Sequence, residues 1–153
     1  GPWIFVLSGF TECLPYEDNR MYLSSNKVDR FGIPQVAFDF EFKDNEYKLR
    51  EDARKQADRL LKAAGAVVPV PAGRKNMSMP GESIHEMGTA RMGDDPKQAV
   101  LNKYNQAHDV PNLFVTDGSF MTSASCVNPS LTYMAFTARA REYAVKQMAE
   151  GHI

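Results

Sequence analysis

The hydrophobic period changes near residue 43, and that change limits the folds open to this chain. In "QVAFDFEF", residues 35–42, Val36, Phe38, Phe40 and Phe42 alternate with Ala37, Asp39 and Glu41. A period of two belongs to a strand with one apolar and one wetter face. From Asp44 onward Leu49, Ala53, Ala57, Leu60, Leu61 and Ala64 recur three or four apart among charges, which predicts an amphipathic helix that Gly65 would end. The segment "DRFGIP", with Gly32 and Pro34, supplies turn chemistry between this strand and an earlier one at "RMYLSS". Strands followed by a helix, in that order, make an α+β reading.

Other segments extend it. "WIFVLSGF", residues 3–10, is strand-like, and "AVVPVPAG", residues 66–73, has prolines that suit only a sheet edge. "RKNMSMPGES" reads as loop, and "NLFVTDGS" as a short buried strand turning at Gly118. A closing helix is expected with Asn128 as its cap, Pro129 in its first position and Gly151 past its end. Its apolar stripe would be Leu131, Met134, Ala135, Ala138, Val145 and Met148.

Composition removes several classes of function. A formal net charge of −1 over 153 residues gives no basic field for nucleic acid. No apolar run nears the ~20 residues of a membrane span, and the first residues lack the basic start of a signal peptide. Cys13 and Cys126, with His85, His108 and His152, show no zinc spacing, so no metal is expected. The two thiols read as small buried hydrophobes.

Chemistry is concentrated in "SIHEMGTARMGDDP" and "CVNPSLTYMAF". His85 in a loop is by itself most simply a solvated or hydrogen-bonded histidine. Gly88 and Gly93 nearby would let the backbone approach a ligand, and imidazole can accept a proton near neutral pH. Asn128 before a proline is ordinary capping chemistry, yet a helix start also offers free N–H groups to an atom gaining negative charge. Asp117-Gly118-Ser119 is a common turn, and Lys103, Arg91, Arg139 and Arg141 read as solvated charges.

Taken in order, these pieces resemble the C-terminal segment of the glucose–methanol–choline (GMC) oxidoreductases. The matching elements are His85, Gly88-Thr89, Arg91-Met92-Gly93, Asp95-Pro96, the run from Asn112 to Ser119, and Asn128-Pro129-Ser130-Leu131-Thr132. His85 and Asn128 stand 43 residues apart, in keeping with the family's spacing. "GFTECLPYEDNRMYLS" and "VAFDFEF" look like the sugar- and gluconate-oxidising bacterial branch.

The resemblance implies an FAD-dependent enzyme that oxidises an alcohol or sugar. His85 would be the base and Asn128 the hydrogen-bond donor to the substrate oxygen. Asp117, Gly118, Asn128, Pro129, Ser130 and Leu131 would line the cofactor. The family's glycine-rich dinucleotide fingerprint is absent. The expectation is therefore a C-terminal fragment whose partner is a missing N-terminal FAD-binding part. Residues 1–82 would belong to an antiparallel substrate-binding sheet with one helix. Residues 83–153 would carry the active-site pair and the last strand and helix of the FAD domain. FAD is expected in the full-length protein and not in this piece alone. The competing reading is a non-catalytic module that holds a carbohydrate or a protein.

Overall fold

The computed structural model describes residues 3–67 and 78–153. The expected edge segment 66–73 and the start of the following loop lie largely outside the described residues. Within them, β1 (Arg20–Val28) and β2 (Pro34–Asp39) form an antiparallel hairpin, followed by α1 (Asp44–Ala63) and, far along the chain, α2 (Ser130–Ala149). This is the α+β arrangement that the change of period predicts.

The hairpin closes on local chemistry. Asp29 Oδ1 accepts from the N–H groups of Phe31 and Ile33, at 2.8 and 3.0 Å, and Gly32 takes a φ of +81° that other residues resist. Register runs from Arg20 opposite Asp39 to Leu23 opposite Val36, then shifts before Val28 pairs with Pro34. The alternation holds but the expected burial does not. Val36 and Phe38 remain exposed, and Ala37 on the other face is the half-buried one. No other described element packs extensively on this two-stranded sheet, so neither face is covered.

Residues 3–10 form no strand, contrary to their composition. A strand needs a neighbouring edge to satisfy its backbone, and Trp3, Ile4 and Phe5 instead stand in the open.

α1 ends as its sequence predicts. Gly65 has a φ of +86°, and the Ala66 N–H reaches the Leu61 carbonyl at 3.0 Å. At the other end Glu46 is buried. Its carboxylate accepts from Lys43 N, in the reach-back half of a capping box, and from Leu14 N at 3.0 Å.

The hydrophobic core lies in the C-terminal half. Leu101, Ala107 and Phe120 are buried, with Ala90, Met92, Val115, Tyr133 and Phe136 packed around them. The chain between 90 and 121 is a knot of single bridges, Met92 to Leu101, Leu101 to Ala107 and Gln106 to Phe114, rather than the strand expected at 112–119. Its polar centre is paired side chain by side chain except at Asn105 Oδ1, which is buried without a hydrogen-bond partner among the described residues. Asn102 Nδ2 donates to Gln106 Oε1 at 2.8 Å, Gln106 Nε2 to the Pro111 carbonyl at 2.7 Å, and Asn105 Nδ2 to the Val115 carbonyl at 3.0 Å.

α2 starts one residue later than expected. Pro129 occupies the cap position without a side-chain hydrogen bond, so Asn128 does not cap the helix. The last turn closes as expected on Gly151, with φ +72° and the His152 N–H on the Gln147 carbonyl. The expected stripe is wrong. Leu131, Met134, Val145 and Met148 are exposed, while Ala140 is buried and Tyr133, Phe136 and Tyr143 are half-covered. Both sets have helical spacing, and the knot selects the second through Phe120 against Phe136 and Tyr104 stacked on Tyr143 at 3.9 Å.

Candidate functional site

Three separated stretches carry the candidate residues, and backbone pairing draws them toward Asp117–Phe120. The His85 loop is fixed downstream by Ala90 N–H on the Ser119 carbonyl at 2.9 Å and Met92 N–H on the Phe120 carbonyl at 3.1 Å. Gly88, with φ +88°, passes close to the Met121 and Thr122 carbonyls, where left-handed backbone leaves little choice but glycine. From α2, Tyr133 turns its hydroxyl onto Gly118. A methyl group built there would lie 2.6 Å from that oxygen and 3.2 Å from the Glu86 carbonyl. Glu86 adjoins His85, so the chain beside that candidate and α2, through Tyr133, both close on Gly118.

His85 is half-buried, and its ring nitrogens have no hydrogen-bond partner among the described residues. Its one ring contact is Phe10, stacked at 5.1 Å between centroids and 27° between planes. Asn128 is exposed, and no hydrogen bond joins it to His85. Pro129 is buried, whereas Ser130 and Leu131 are exposed at an uncapped helix start. Asp117 turns inward on its own loop, accepting from Ser119 N at 2.9 Å and from the Ser119 hydroxyl. Those donors hold its carboxyl below the usual value. Burial and then the Asp117 charge push the Tyr133 hydroxyl up.

The charged residues read as solvated are partly engaged. Arg91 donates to the Pro15 carbonyl at 3.3 Å, and Arg139 donates to the Lys103 carbonyl while lying over Phe136. Both cysteines are free, but Cys126 is exposed and Cys13 half-buried, which corrects the reading of two buried thiols. Burial, then Glu46 and Glu12, push the Cys13 thiol up to about 11. Among the described residues no group of His, Cys, Asp or Glu is arranged to hold a metal, and no helix is long and apolar enough to cross a membrane.

Two open hollows, one lined by Glu17, Asp18, Arg20 and Asp39 and one running from Met92 to Arg139, include neither His85 nor Asn128. The residues that sequence reasoning misses are Phe10, Glu12 and Tyr133. Glu12 accepts from Ser123, in the loop that leads to Asn128. Nothing local announces such contacts, because each partner lies more than ten residues away in the sequence.

Residues 15–137 match the family model described as GMC oxidoreductase. The chain is 37% identical over 141 residues to 2-methyl-1,2-propanediol dehydrogenase of Mycolicibacterium austroafricanum, covering 92% of this chain and 25% of that protein. It is 31% identical over 140 residues to the fructose dehydrogenase large subunit of Gluconobacter japonicus, covering 92% and 25%. It is also 29% identical over 143 residues to the gluconate 2-dehydrogenase flavoprotein of Pantoea cypripedii, covering 84% and 22%. The chain thus spans about a quarter of the length of these relatives.

Proposed function

Because this chain belongs to the GMC oxidoreductase family, as its C-terminal part, we propose that it supplies the substrate-side chemistry of an FAD-dependent oxidoreductase acting on a CH–OH donor, a sugar or polyol. His85 takes the hydroxyl proton and Asn128 donates a hydrogen bond to the oxygen as it gains negative charge. The flavin, when bound, supplies the acceptor for the hydride. The relatives' names, a diol dehydrogenase and sugar or sugar-acid dehydrogenases, support the donor class.

One observation carries this reading. Among the described residues His85 keeps its ring nitrogens free of hydrogen-bond partners, in a loop that is otherwise pinned to Ser119 and Phe120. A structural histidine usually uses at least one of those nitrogens. A base must have one available, and a well-placed imidazole contributes ~10²–10⁴-fold. The uncapped start of α2 adds N–H groups near Ser130 and Leu131 that suit the acceptor edge of a flavin, where negative charge grows on reduction. Since the Asp117 carboxylate is already committed to Ser119, cofactor contacts along Asp117–Gly118 fall to the backbone.

The test is stopped-flow reduction of the flavin in the full-length enzyme. His85→Ala slows reduction by at least about a hundredfold, the lower part of the range for a lost base. Reduction at the wild-type rate would rule out His85 as the base.

A further inference from the structure

The chain places an aromatic side chain on the proposed base, and among the described residues no hydrogen bond or ion pair competes with it. Phe10 stacks on the His85 ring at 5.1 Å and 27°, across 75 residues of sequence. Ionisable side chains on the surrounding segments are turned to other partners. Glu12 accepts from Ser123, Glu86 from Ser83 N at 3.1 Å and the Ser83 hydroxyl, and Asp117 from Ser119, while Arg91 donates to the Pro15 carbonyl. Among the described residues no hydrogen bond or ion pair reaches His85, so its ring is oriented by Phe10 and by its own backbone.

We propose that Phe10 is a positioning residue for His85, which fixes the plane of the imidazole and favours the imidazolium that forms when His85 accepts a proton. This rests on the reading of His85 as base. In that step the substrate O–H bond breaks, an N–H bond forms on His85, and the O–H electron pair stays on oxygen. The ring becomes a cation against the negative face of a benzene ring, within the roughly 6 Å over which that attraction acts. A neutral ring gains less, so the contact strengthens as the proton moves. Phe10 also stands before the residues matched by the family model, which begin at 15. The same segment is tied on by Glu12 to Ser123 and by Pro15 to Arg91, and those ties hold Phe10 over the ring.

Two readouts test this in the full-length protein. With histidine labelled at the ring carbon between its nitrogens, His85 signals identified by their loss in His85→Gln should carry an upfield ring-current shift in the wild type. That shift should vanish in Phe10→Leu and survive in Phe10→Tyr. In the flavin-loaded enzyme, the rising limb of kcat/KM against pH should move about half a unit toward acid in Phe10→Leu, and the plateau should fall about threefold, as loss of a partly exposed cation–aromatic contact predicts. Phe10→Tyr should keep both. A wild-type His85 with no ring-current shift overturns the proposal, and so does a Phe10→Leu enzyme that slows with its limb unmoved, since mere loosening would do that. If the ring-current shift is present but His85→Ala reduces flavin normally, the reading of the base has failed and the stacking has not.

Discussion

The two halves of the molecule are held by opposite kinds of chemistry. From residue 90 to α2, apolar side chains close on one another around Leu101 and Phe120. Across residues 3–67 the single buried residue is a carboxylate, Glu46. One region buries oil and leaves its polar groups to a local knot of Asn102, Asn105 and Gln106. The other leaves Val36, Phe38 and Leu23 in the open and gathers its chain around a charge. The first is built to stand as a packed unit. The second leaves apolar side chains on a hairpin that no other described element covers.

The largest effect should come from the packed half. Phe120 is 1% exposed between Tyr133 and Phe136, so Phe120→Ala should cost about 3–5 kcal/mol in denaturant unfolding. A loss below about 1 kcal/mol would mean the knot is not a core at all.

Glu46 comes next. Burial pushes its carboxyl up, but the N–H groups of Leu14 and Lys43 and the Asn45 amide outweigh that and hold it below the usual value. A carboxyl depressed on folding stabilises above its unfolded pKa and loses that contribution as pH falls through the folded one. Glu46→Ala should cost about 2–3 kcal/mol at neutral pH, because buried donors are left unpaired. Its stability should also fall less steeply than the wild type's between about pH 5 and pH 3. Parallel acid titrations followed by circular dichroism would show it, and superimposable curves would remove Glu46 as the anchor.

The smallest effect belongs to the sheet. Phe38 is 65% exposed, and Phe38→Ala should change unfolding of this chain by no more than about 0.5 kcal/mol. If it instead costs as much as Phe120→Ala, the contrast between the halves collapses.

The contrast also explains what could be read in advance. The hairpin turn at Asp29–Pro34, the helix ends at Gly65 and Gly151, and the order of His85, Gly118 and Asn128 are local chemistry, legible from neighbouring residues. The core was not. Between Met92 and Phe120 the chain pairs through single bridges with no repeating period, and Asn105 sits fully buried with a φ of +62° that composition does not announce. On α2, periodicity offered two apolar faces and could not say which the knot would take. The Phe10 contact was invisible for the same reason, since it joins residues that nothing in the sequence links.

The segment from Phe10 to Pro15 has one more consequence, in the order of events during synthesis. Its bonds span 111 residues to Ser123 and 76 to Arg91, far longer than the closures inside the knot. Closing long loops costs entropy before the contact returns anything, so such contacts form late. The segment leaves the ribosome first among these parts and finds its place last. Until then Phe10 travels without its partner, beside Trp3, Ile4 and Phe5, which stay exposed even in the folded chain, and a chaperone that binds short apolar stretches would find its handle there rather than in the half that folds around Phe120.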